Sequence, residues 1–193
     1  MSEPLFYKIV RPIISGLFRL VYRPTYIGKE FIPTSGRIVL GGNHTNNFDC
    51  LLLISSTKRV VHFLAKDSLM KGAKKIIFKN MGIIPVNRSI HDKEALKTAI
   101  NTLNEEKLVC VFPEGTINRT EDIIMPFKIG CVKMAKETDS FIIPYTITGK
   151  YIPFKKSITI EFMKPFKPNN KTLTEDNEEL MRIISNQLKG KRN

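Results

Sequence analysis

Three things are scarce in this sequence. Cysteine occurs only as Cys50, Cys110 and Cys131, an odd number without metal-ligand spacing. That excludes a disulfide scaffold and reads as reduced thiols of a cytosol-facing protein. No run of about 18 uncharged apolar residues occurs, which argues against a membrane-spanning helix. Arg11 and Arg19 interrupt the first apolar segment and no short small-residue site follows it, so the signal-peptide pattern is missing and the chain is expected to stay inside the cell. Acids are outnumbered, 18 Asp and Glu against 31 Lys and Arg, for a net charge of +13. The expected partners are therefore anionic: nucleic acid, a lipid surface, phosphorylated small molecules or an acidic protein.

What is present is a globular composition, with 193 residues of which 42% are apolar, enough for one domain with its own core. In Leu5 to Tyr22 the polar positions Lys8, Arg11, Ser15 and Arg19 form a narrow basic stripe on a wide apolar helix. Such a helix either packs on the domain's own core or lies in the headgroup region with its cations toward anionic lipid, and Pro12 is expected to kink it or to start a second helix.

After Pro24, short runs rich in Val, Ile and Phe alternate with helical segments, without repeat or low-complexity linker. Strands are expected at 37–40, 59–65, 82–86, 107–112, 141–147 and 157–162. Helices are expected near 48–56, 68–80, 92–104, 129–137 and 175–188, the third capped by Ser89 or Asp92. This predicts a single α/β domain with a mixed, largely parallel sheet flanked by helices and preceded by the amphipathic segment. Chemistry then belongs beyond the carboxyl ends of the strands.

Candidate groups stand at those ends. The first strand runs into Gly41-Gly42-Asn43-His44, with Asp49 opening the next helix. Five residues on a regular helix lie about 140° apart, so His44 and Asp49 meet only if His44 is in the turn, which the glycines and asparagines are expected to supply. Asp49 would then fix the imidazole tautomer and leave the other nitrogen as a general base; the alternative is a helix cap beside an incidental histidine. Other strands end in Asn87-Arg88, a guanidinium suited to phosphate, and in Phe112-Pro-Glu-Gly-Thr116, where Gly115 lets backbone N–H groups approach a ligand. His62 reads as a hydrogen-bonded strand residue and Cys50 as buried packing.

In order, His44-x-x-x-x-Asp49, Gly82-Ile-Ile-Pro-Val-Asn-Arg88, Phe112-Pro-Glu-Gly-Thr116 and Ile143-Pro144-Tyr145 resemble the four blocks of the glycerolipid acyltransferase family, in its lysophosphatidic acid type. The resemblance implies an acyltransferase domain over 24–193, behind a membrane-associating segment at 1–23. It implies that His44 is the base for the acceptor hydroxyl, Asp49 its orienting partner, Arg88 a phosphate ligand, and Glu114 with Gly115 the shapers of the acceptor and oxyanion region. Lys66 matches a lysine near the phosphate or oxyanion, and Thr116 and Arg119 complete the binding set. Two departures stand out: Ile117 follows Thr116 where the family has arginine, and Tyr145 alters the fourth block.

The implied reaction moves a fatty acyl group from an acyl carrier protein or coenzyme A thioester to lysophosphatidic acid, without cofactor or metal, at the cytoplasmic face of an anionic membrane. The span from Lys58 to Lys93, with Lys71, Lys74, Lys75 and Lys79 on one helix face, suits anionic headgroups, acyl carrier protein or coenzyme A. Another lysophospholipid is the alternative acceptor, and rival readings outside the class are a thioesterase with His44 activating water and a basic nucleic-acid module. No helix-turn-helix signature or aromatic stacking cluster supports the second, and no nucleic-acid partner is expected.

Overall fold

Ile38–Gly42, the strand β2, is buried throughout because both of its faces are covered. In this computed structural model, which describes residues 5–70, 80–87, 92–169 and 172–191, β2 is central in a seven-stranded sheet. The other strands are β1 (Thr25–Ile27), β3 (Val61–Lys66), β4 (Ile84–Val86), β5 (Leu108–Val111), β6 (Phe141–Gly149) and β7 (Ile158–Phe162). Their order is β1-β7-β6-β2-β5-β3-β4. The run from β6 to β4 is parallel, while β7 is antiparallel to β6 and carries β1 parallel to itself. The expected mixed, largely parallel sheet is present. β1 is an addition: three residues carry too little periodicity to read, and their pairing with β7 is a distant contact.

Alternate residues of β2 feed two cores. Ile38 and Leu40 pack with α1 (Leu5–Tyr22) and α2 (Asp49–Ser56) through Tyr7, Phe18, Leu52 and Leu53. Val39 packs on the opposite side, with α3 (Lys93–Asn104), α4 (Gly130–Glu137) and α5 (Leu173–Lys189) through Ala99, Leu103, Val132 and Leu180. Helix starts are set by side chains: Asp92 accepts from the Ala95 N–H, and Thr172 with Glu175 forms a reciprocal capping box. The expected helix over 68–80 falls mostly outside the described residues, as do Arg88, His91 and the lysines 71, 74, 75 and 79.

α1 departs from the sequence reading in two ways. It is one helix through Pro12. Its basic stripe also faces the protein: Ser15 is buried, Arg11 Nε donates to the Thr57 carbonyl at 2.8 Å, and Arg19 donates to the Ser55 carbonyl. These cations meet carbonyls at the C-terminus of α2, where the helix dipole favours positive charge. The row Leu5, Phe6, Ile9, Ile13, Leu17 and Leu20 is what lies exposed.

Candidate active site

The parallel strands bring their carboxyl ends to one edge, and the chain leaving β2 there is held on all sides. Gly41 and Gly42 belong to β2 and do not form the turn. A Cβ on Gly42 would stand 2.4 Å from the Tyr145 ring, so glycine is needed for that close approach. Tyr145 is thus fully buried core. Asn43 is pinned to β6, its amide donating to the Ile147 carbonyl at 2.9 Å and accepting from the Ile147 N–H at 2.7 Å.

His44 follows. Its N–H donates to Glu114 Oε1 at 2.9 Å and its carbonyl accepts from the Asn118 N–H at 2.9 Å, so its backbone is gripped from both sides. The imidazole stacks on Phe112, centroids 3.8 Å apart at 15°. Nδ1 lies 2.9 Å from Asp49 Oδ2. A carboxylate only accepts, so Nδ1 carries the proton and Nε2 is left as a base. The pair expected from the sequence is formed, with His44 before the helix and Asp49 in its first turn.

Asp49 is fully buried and saturated with donors. Oδ2 accepts from the Thr45 N–H at 2.6 Å and the Asn46 N–H at 2.9 Å, and Oδ1 accepts from Thr45 Oγ1 at 3.1 Å and from the Tyr151 hydroxyl at 2.6 Å. Tyr151 is a residue of this site that the sequence does not flag. It comes from the β6–β7 connection, far along the chain, and no motif marks it. Burial, then the Asp49 charge, push its phenol well above the ordinary range, so it remains a donor.

Glu114 is buried with both oxygens engaged, Oε2 accepting from the Met125 N–H at 2.8 Å. Burial pushes its pKa up, and its two backbone N–H donors pull the other way. Gly115 has φ +74°, the left-handed region, and the stem of Lys128 lies where its Cβ would be. Lys66, Thr116 and Arg119 are exposed near this edge, and Arg88 lies outside the described residues.

Beside the pair is a cleft of about 340 Å³ lined by His44, Thr45, Glu114, Asn118, Thr148 and Lys191 among others. Lys66, Gly115, Thr116 and Arg119 are not part of its lining. Cys50 adjoins Asp49, but burial first and the Asp49 charge second push its thiol up to about 12, which makes it a poor nucleophile. His62 Nδ1 meets the Gly82 carbonyl at 2.8 Å, as a strand histidine should. Among the described residues, no cluster of three or more His, Cys, Asp and Glu side chains is gathered as a metal site would require.

The 1-acyl-sn-glycerol-3-phosphate acyltransferase of Borreliella burgdorferi is 37% identical over 134 residues, 68% of this chain and 53% of its own length. The Bacillus subtilis protein of the same name is 28% identical over 123 residues, 63% of this chain and 60% of its own. The chain therefore spans only about half to three-fifths of these relatives. In fold it is similar to the crystal structure of the 1-acyl-sn-glycerophosphate (LPA) acyltransferase PlsC from Thermotoga maritima. That match has a TM-score of 0.77 at 21% identity and covers 96% of this chain and 80% of that one. A family model described as Acyltransferase matches residues 23–148, most of the chain, including His44, Asp49 and Glu114 but not Tyr151 or Lys191. This chain belongs to the Acyltransferase family.

Proposed function

We propose that the protein is a 1-acylglycerol-3-phosphate acyltransferase, moving a fatty acyl group from an acyl carrier protein or coenzyme A thioester to the free sn-2 hydroxyl of lysophosphatidic acid, giving phosphatidic acid. The observation that carries this reading is the His44 Nδ1–Asp49 Oδ2 contact of 2.9 Å beside a polar cleft. Family membership and the names of the curated relatives support the substrates.

In this reading Nε2 of His44 takes the proton from the acceptor hydroxyl as its oxygen bonds to the thioester carbonyl carbon. Asp49 stabilises the imidazolium that forms. The negative oxygen of the tetrahedral intermediate is met by backbone N–H groups near Gly115 and by Lys66. The C–S bond then breaks, and the departing thiolate takes the proton from the imidazolium. Arg88, Thr116 and Arg119 serve the phosphate end of the acceptor, standing in for the arginine absent after Thr116. Glu114 shapes the region through its grip on the His44 backbone.

The acceptor is a membrane lipid, and the 1–23 segment holds the enzyme at the cytoplasmic face as a peripheral or monotopic protein. No helix among the described residues is long and apolar enough to cross a membrane. The outward apolar row of α1 instead suits a helix lying in the interface.

The test supplies labelled acyl-acyl carrier protein or acyl-CoA with lysophosphatidic acid in vesicles and compares the wild type with His44→Ala. Acceptor-dependent phosphatidic acid that vanishes in the variant is expected. Free fatty acid released without need of an acceptor, or product undiminished in the variant, overturns the reading.

A further inference from the structure

We propose that Tyr151 is a positioning residue for the His44–Asp49 pair, its hydroxyl holding the Asp49 carboxylate while its ring is seated by two aromatic side chains of α1. The inference rests on the acyl-transfer reading of the site. It makes the helix with the exposed apolar row part of the framework that orients the base.

The hydroxyl end is well defined. Tyr151 donates to Asp49 Oδ1 at 2.6 Å, and the other donor on that oxygen is Thr45 Oγ1 at 3.1 Å. Oδ2 is the oxygen shared by His44 and the two backbone N–H groups. The carboxylate can turn about its Cβ–Cγ bond, and a turn would carry Oδ2 away from His44. Holding Oδ1 at a fixed point stops that motion. Because Asp49 is fully buried, the short bond to its charged oxygen is also stronger than a neutral one.

The ring end is equally built. Tyr151 meets Tyr22 edge-on with centroids 5.7 Å apart at 89°, and Phe18 at 6.2 Å and 63°. Phe48, at the start of α2, completes the cluster at 5.7 Å from Tyr151 and 5.4 Å from Tyr22. The backbone follows the side chain: the Phe154 N–H donates to the Val21 carbonyl at 2.5 Å, tying the β6–β7 connection to the end of α1. Edge-to-face pairs of this kind each favour one arrangement, so the orientation of Tyr151 is set by α1.

Sharing Asp49 has an electrostatic consequence. A donor on Oδ1 draws charge from the carboxylate and leaves less of it to stabilise an imidazolium at His44. Removing the donor should therefore make protonated His44 more favourable and move the acid limb of the rate profile to higher pH. The titratable groups facing the pair are Glu114, on the His44 backbone, Cys50, Cys110, Tyr145 and Tyr151 on the Asp49 side, and Lys191, which lines the cleft with His44 and is paired with Glu161. Burial holds both thiols and both phenols neutral across that range. The hydrogen bonds of Glu114 run to the His44 and Met125 N–H groups and not to Tyr151, so the change reports on the pair.

The experiment compares the wild type with Tyr151→Phe, which keeps the ring and its packing. Expected are a fall in kcat of about tenfold to a hundredfold, the range of a hydrogen bond to a charged group, and a KM for lysophosphatidic acid within about twofold. The acid limb of kcat/KM should move upward, and the low-field NMR resonance of the His44 Nδ1 proton should shift. A wild-type kcat, an unmoved limb and an unchanged resonance overturn the proposal. Tyr22→Leu loosens the ring's seat with the hydroxyl present and is expected to move the limb the same way by less. If Tyr151→Phe does not fold, this variant decides, and an unmoved limb overturns the proposal. The two readings fail separately: a fully active His44→Ala ends the acyl-transfer reading, whereas an inactive His44→Ala beside a wild-type Tyr151→Phe ends only the positioning role.

Discussion

Asp49 shows how one buried charge is kept in a single orientation: every face of the carboxylate meets a donor, two of them backbone N–H groups of its own turn. Asp49→Asn keeps the volume but replaces an acceptor with an NH2 group. At the Oδ2 place the NH2 group faces the Thr45 and Asn46 N–H groups, which also donate. At the Oδ1 place it can donate to the two hydroxyls, but the amide oxygen then left to His44 carries no charge to stabilise the imidazolium. The expected result is a loss in kcat of about a hundredfold or more with the fold intact by circular dichroism. Glu114 sits in a similar relation to its loop, and Glu114→Gln leaves one of the His44 and Met125 N–H groups without an acceptor. Its cost is about 1–3 kcal/mol, seen as a Tm lower by a few degrees in a thermal melt. Cys50 gives a third check at this scale. A thiol moved from 9.0 up to about 12 holds roughly a thousandfold less thiolate at pH 8, so iodoacetamide should label it at least a hundredfold more slowly in the native than in the unfolded chain. Comparable labelling rates in the two states would mean that Cys50 is neither buried nor suppressed.

Among the elements, α1 teaches most, because its amphipathicity is turned outward. Periodicity in a sequence shows that a helix has two faces without showing which one meets the core. Here Tyr7 and Phe18 on the inner side, with Arg11 and Arg19 bonded to α2 carbonyls, outweigh the broad apolar row as the docking surface. Where local pattern decides, the sequence was legible: the apolar β2, the Asp92-capped α3 and the His44–Asp49 turn all match their expected places. It was silent where distant segments meet, as at β1 on β7 and at Tyr151 on Asp49, since neither contact leaves a local pattern. The outward row yields a prediction that belongs to the helix alone. Replacing Ile9, Ile13, Leu17 and Leu20 by Ser removes exposed side chains only, so the melting temperature should hold while vesicle binding falls about a hundredfold or more, each lost aliphatic contact counting for up to roughly 1.5–3 kcal/mol. Sedimentation with vesicles measures it. Phe18, 4% exposed, is excluded from the set because its loss would open the core.

Over the whole molecule the excess of +13 acts at longer range than any one contact, yet not all of it is available to a partner. Arg11 and Arg19 are turned onto α2, Arg37 is paired with Glu106, and Arg59 donates to the Pro33, Ser35 and Gly36 carbonyls. Exposed lysines such as Lys150, Lys155 and Lys156, on the connection bonded to the end of α1, remain to set the outward field near the apolar row. Attraction to anionic lipid is worth about 1 kcal/mol for each cation near the surface, so these three should supply roughly a hundredfold preference for anionic over neutral vesicles at low salt. Raising salt from 0.1 to 1 M shrinks the Debye length from about 10 to about 3 Å and should erase most of that preference while leaving the apolar contribution of α1 in place. Binding should thus fall with salt on anionic vesicles and hardly change on neutral ones, and the four-Ser α1 variant should keep only the salt-sensitive part. Equal, salt-insensitive binding to both kinds of vesicle would show that the field plays no part in docking and that the apolar row acts alone.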